Sequence, residues 1–143
     1  MTAHKVATGL YDVTHRLTRK LRNFRRDTSA VSGERLSAML TLKNIGNSSI
    51  KELASSEQVA HSTMSRMVSG LRDKGLARVY VDESDRRTSS IQLTSKGVQV
   101  ARSDLDQITH PLAAAIRRLP KRDQLILAQS IEILDDLLEA ISG

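Results

Sequence analysis

Two short stretches carry the side chains best suited to chemistry. In the first, Ser62, Thr63, Ser65, Arg66 and Ser69 fall within eight positions; in the second, Asp85, Arg86 and Arg87 are consecutive. Serine and threonine hydroxyls hydrogen-bond phosphates or base edges, and arginine presents a planar fork that grips guanine or phosphate with two parallel bonds. Other chemistries lack their residues. The chain has no cysteine, which excludes disulfides, thiolate-ligated metals and thiol-based oxidant sensing. His4, His15, His61 and His110 have no metal-ligand spacing, and no nucleophile elbow, phosphate-cradling glycine loop or paired-carboxylate motif occurs. Neither an enzyme nor a cofactor or metal site is expected. Three aromatic residues, Tyr11, Phe24 and Tyr80, are too few for a single-strand stacking platform.

The elements that must position these residues are mostly helical. Residues 4–26 read as an amphipathic helix, with Val6, Leu10, Val13, Leu17, Leu21 and Phe24 on one face. Ser32 offers an N-cap for a second helix with Leu36, Met39, Leu40 and Ile45 inward and Gly46 as its stop. Ser49 and Glu52 form a capping box for a short third helix, followed by a tight turn at Gln58-Val59-Ala60. A fourth helix from about His61 to Lys74 buries Met64, Met67, Val68 and Leu71, so Ser62, Arg66 and Ser69 point outward with Thr63 and Ser65 beside them. After Gly75 the pattern alternates, giving strands over 76–81 and 89–93 around a charged tip. Thr94 caps a long helix that Pro111 should kink or interrupt, and Pro120 opens a last helix rich in apolar residues.

Charge and apolar surface are unevenly spread. The net charge is +6, yet residues 1–26 hold seven bases and one acid, so the rest of the chain is balanced. Such a stripe is either a solvated face or an anion-attracting one. The first, fifth and sixth helices offer more apolar length than a central lobe can cover: Leu10, Val13 and Leu17, then Leu112, then Leu127, Ile131, Leu134 and Leu138. Two arrangements satisfy it, a self-contained terminal bundle or a homodimer interface with heptad-like packing. His15 and His110 fall on helices that would meet there, which would couple the dimer to pH. No apolar run approaches the roughly 20 residues of a membrane span and no signal peptide is visible, so a soluble, cytoplasmic single domain is expected.

Helix, tight turn, polar-faced helix and basic-tipped hairpin make the order of a winged helix-turn-helix. Leu53-Ala54, Ser62-Thr63-Met64-Ser65-Arg66-Met67-Val68, Leu71-x-x-Lys74-Gly75-Leu76, Arg78, Asp85-Arg86-Arg87 and Leu93-Thr94-x-Lys96-Gly97 resemble the core of the MarR family of bacterial transcriptional regulators. The resemblance implies a mainly α fold with a small β-hairpin wing, a DNA-binding lobe over 32–94, and dimerisation helices over 4–30 and 95–143. It implies that Ser62, Thr63, Ser65, Arg66 and Ser69 face the major groove of double-stranded DNA. Arg87, with Arg86 beside it, would enter the minor groove and Asp85 would orient it. It also implies a homodimer on a pseudo-palindromic operator, most often as a repressor, released by a small aromatic or anionic effector. One departure stands out: Ala60 occupies the place of a serine N-cap, which Ser62 would take over if the helix began later. A DNA-architectural protein indifferent to sequence and a winged-helix protein-interaction module are the rival readings.

Overall fold

The computed structural model describes residues 1–25, 31–81, 83–84 and 89–142. Six helices and three short strands follow one another in the order α1 (Ala3–Arg22), α2 (Gly33–Ile45), β1 (Asn47–Ser48), α3 (Ile50–Glu57), α4 (His61–Asp73), β2 (Ala77–Val81), β3 (Ser89–Leu93), α5 (Ser95–Arg117) and α6 (Lys121–Ser142).

Local signals account for most boundaries. Thr2, Ser32, Ser49 and Thr94 each occupy an extended N-cap position, and each hydroxyl accepts the amide of the residue three further on. Gly46, at φ +82°, ends α2. The first helix is shorter than its periodicity predicts: it ends at Arg22, with Arg19, Lys20 and Arg22 in the last turn where the helix dipole favours bases. Phe24 lies beyond it. Pro111 does not interrupt α5, which runs as one helix through it, and Leu119 falls in the corner before α6 rather than on the α5 face. In that corner the Gln124 amide donates to the carbonyls of Leu119 (2.8 Å) and Arg117 (3.4 Å).

The core belongs to the central lobe. Met39 and Leu42 of α2, Leu53 of α3, Met64 and Leu71 of α4, Leu76 just before β2, and Ile91 of β3 are its largest fully buried side chains. Ile45, expected to face inward, is 52% exposed at the helix end; Ala38 and Leu42 take the inner face instead. The sheet also departs from the expected two-stranded hairpin. β1 adds to it, giving the antiparallel order β1-β3-β2 with Ser48 opposite Ile91, and Val79 opposite Ile91 on the other side. Two residues leave too little pattern to read as a strand, yet they bracket the central β3 and bury Ser48 beside it.

A candidate nucleic-acid interface

The geometry starts at the turn between α3 and α4. Gln58 adopts the left-handed conformation (φ 54°, ψ 45°), which turns the chain out of α3. The Glu57 carboxylate just before it accepts hydrogen bonds from Ser37 Oγ (2.7 Å) and Thr41 Oγ1 (2.6 Å), tying the end of α3 to α2. Charge-assisted bonds of this kind are short and strong for their type. The turn is therefore fixed from two sides, by backbone conformation and by an anchored carboxylate.

From Ala60 onward α4 has two faces. Met64, Met67, Val68 and Leu71 are buried against α2, α3 and the sheet, as their spacing predicts. That burial turns Ser62 and Arg66 to the exterior, while Thr63, Ser65 and Ser69 sit half-buried along its edges. The five sequence-selected residues thus share one outward surface of one helix. Ala60 is the N-cap, in extended conformation and with no side-chain cap bond, and Ser62 lies inside the first turn rather than capping it. At the other end Gly75, at φ +73°, closes the helix: its amide bonds to Arg72 O (2.9 Å) and the Leu76 amide to Leu71 O (2.9 Å), a Schellman pair.

β2 and β3 project the hairpin directly after this helix, paired from Ala77–Leu93 out to Val81–Ser89. Asp85, Arg86 and Arg87 lie outside the described residues. The described part of the wing exposes Tyr80 and Val81.

The residues selected for dimerisation are on three helices and stay uncovered. Val13, Leu17, Leu127, Ile131, Leu134 and Leu138 are exposed, Leu10 and Leu112 half-buried, and neither α1 nor α6 has a single buried residue. The terminal helices do not form a closed bundle of their own.

One element of the site escaped the sequence reading. Arg25 is one of the seven bases of residues 1–26, but its side chain is only 13% exposed and its Nη2 donates to Asp104 Oδ2 (2.8 Å) and to the Val31 carbonyl (2.6 Å). Asp104, 6% exposed, is the buried acid of α5. An i-to-i+79 ion pair leaves no local trace in sequence; an isolated acid on the inner face of α5, one turn from Ala101 and Ile108, is the only hint. Beside it a cleft of about 1050 Å³ opens between α1, α2 and α4, lined by Leu21, Arg22, Arg25, Leu36, Met67 and Ile108 among others. Among the described residues no group of acids and histidines could hold a metal ion, and no helix is long and apolar enough to cross a membrane.

A short helix, a fixed turn, a helix with an outward polar face and a paired hairpin define a winged helix-turn-helix fold. Residues 31–89 match the model of the MarR family. Over 94% of its length the chain is 27% identical to an uncharacterized HTH-type transcriptional regulator of Mycobacterium bovis, of which it covers 94%. The chain is thus similar to MarR family proteins across its central lobe, and to HTH-type transcriptional regulators along nearly its whole length. The fold agrees with solved structures. A MarR family protein from Bacillus stearothermophilus superposes with a TM-score of 0.82 at 18% identity, over 97% of this chain and 99% of that one. FabT of Streptococcus pneumoniae, solved in complex with DNA, gives 0.71 at 16% identity over 98% and 99%.

Proposed function

We propose that the protein is a cytoplasmic homodimeric repressor that reads a pseudo-palindromic operator with two copies of the 32–94 lobe, joined through residues 4–30 and 95–143. The observation that carries the reading is the state of the terminal helices. Together α1 and α6 span more than forty residues, bury none of them, and expose a row of branched apolar side chains. Soluble monomers rarely expose contiguous apolar surface on this scale. Their charges are also complementary: α1 carries Lys5, Arg16, Arg19, Lys20 and Arg22 against Asp12, whereas α6 beyond Arg122 carries five acids and no base. A second copy of the chain matches both features.

In this reading Ser62, Thr63, Ser65, Arg66 and Ser69 lie in the major groove, with Arg66 as the residue suited to a bidentate contact with guanine. Arg87 and Arg86 lie in the neighbouring minor groove, whose narrow A·T-rich form attracts guanidinium groups, and Asp85 orients Arg87. The DNA-bound state of the structurally similar FabT supports duplex DNA as the partner. The cleft, lined by the apolar Leu21, Leu36, Val59, Met67 and Ile108 and by charges of both signs (Arg22, Arg25, Glu34 and Glu57), is the candidate site for a small aromatic or anionic effector.

Selection of bound sequences from a random duplex pool tests the reading. The expected product is an inverted repeat whose half-sites lie about 10 base pairs apart. Arg87→Ala should weaken binding to it and lower the slope of log K against log salt by about 0.9 for one lost phosphate contact. Arg66→Ala should instead relax base preference at one position per half-site, at about 1–3 kcal/mol of discrimination. Equal affinity for selected and random duplexes would favour a DNA-architectural protein, the reading that the basic α1 supports.

A further inference from the structure

The end of α4 is held by the beginning of α5. Beyond the Schellman pair, three successive carbonyls each accept a hydrogen bond from the first residues of α5. Lys74 O accepts from Lys96 Nζ (3.2 Å), Gly75 O from Thr94 Oγ1 (2.7 Å) and Leu76 O from the Thr94 amide (3.0 Å). The Thr94 hydroxyl that donates to Gly75 also accepts the Gly97 amide at 3.0 Å, so one oxygen caps α5 and grips the exit of α4. Gly97 is buried against the Leu76 backbone so closely that an added Cβ would lie 2.0 Å from Leu76 O. No ordinary side chain fits without separating the two segments.

We propose that this junction rigidly couples α5 to the recognition helix, making Thr94, Lys96 and Gly97 positioning residues for DNA recognition. The inference rests on the paired half-site reading above and deepens it. α5 runs 23 residues from this junction toward Leu112 and the uncovered apolar surface of the terminal helices. Such a helix is about 34 Å long, so a tilt of about 6° displaces its far end by about 3.5 Å, close to one base-pair step. With the junction rigid, the inclination of α5 in the dimer fixes the separation of the two α4 helices. With the junction loosened, each α4 shifts on its own lobe and the separation is no longer set.

The test uses the full-length protein and a series of duplexes in which the selected half-sites are moved apart or together by one base pair. The wild type should bind its preferred spacing several-fold more tightly than either neighbour. Gly97→Ala should flatten or shift that preference. Lys96→Met, an exposed position, serves where Gly97→Ala does not fold, and should reduce the discrimination to about a third or less of its wild-type value with the salt slope unchanged. Thr94→Ser keeps the hydroxyl and should keep the wild-type spacing profile. If Lys96→Met weakens every duplex equally, the junction is merely structural; if it lowers the salt slope by about 0.9, Lys96 is a phosphate contact. Either result overturns the proposal. A wild type indifferent to spacing would overturn the paired half-site reading itself, and this inference with it.

Discussion

The central lobe and the terminal helices solve opposite problems with similar residues. In the lobe, thirteen-residue helices α2 and α4 each bury four side chains, and Met39, Leu53, Met64, Leu71 and Ile91 are closed off from solvent. In α6, a helix nearly twice as long, Ile131 is 58% and Leu138 61% exposed, and no residue is buried. Burying a leucine or isoleucine stabilises by about 1.5–3 kcal/mol relative to leaving it in water. The lobe collects that stabilisation within one chain. The terminal helices forgo it unless something else covers them, so the fold divides into a part that is complete and a part whose apolar row is left uncovered.

The sharpest way to break this contrast is to put charge on the uncovered row. Ile131→Glu with Leu138→Glu should leave the lobe core untouched and convert a dimer to a monomer in sedimentation. Losing the second lobe removes the avidity of a linked pair, an effect of about 10²–10⁴ in affinity for the paired site. Unchanged mass and unchanged binding would show that these side chains cover nothing. The next largest effect lies at the seam between the two regions, where Arg25 at the exit of α1 meets Asp104 of α5. Asp104→Ala strands a guanidinium that is mostly buried and whose Nε already has no partner among the described residues, and should cost about 3–5 kcal/mol in urea unfolding. Replacing both members, Arg25→Met with Asp104→Leu, should recover most of that loss.

The same contrast explains which features the sequence could reveal. Capping hydroxyls at Ser32, Ser49 and Thr94, the glycine stops at 46 and 75, and the inward row of α4 are local or periodic signals, and each lies where its spacing predicts. Features set by distant segments were illegible. β1 exists because Asn47 and Ser48 meet β3 more than forty residues later, and Arg25 parts from the other bases of residues 1–26 because Asp104 is there to receive it. The glycine of Leu93-Thr94-x-Lys96-Gly97 fits the family pattern by identity, but its reason, the Leu76 backbone against its Cα, is tertiary. For the candidate site the outward placement of Ser62 and Arg66 followed from burying the opposite face, whereas Asp85, Arg86 and Arg87 rest on the family pattern alone.

The smallest effect is at the entrance to α4. Four of the five helices from α1 to α5 begin with a hydroxyl that accepts an amide of the first turn; α4 begins with Ala60, which cannot. Its backbone, φ −64° and ψ 147°, is already that of an N-cap, so a serine needs no rearrangement to reach the Thr63 amide. Ala60→Ser should therefore stabilise the lobe by about 1 kcal/mol, raising the urea midpoint without changing the slope of the transition. Because the lobe is the self-contained region, the gain should appear equally in the wild type and in the Ile131→Glu, Leu138→Glu background. A gain seen only in the dimer would mean that the lobe does not hold its own fold, and the division between a complete region and a dependent one would be wrong.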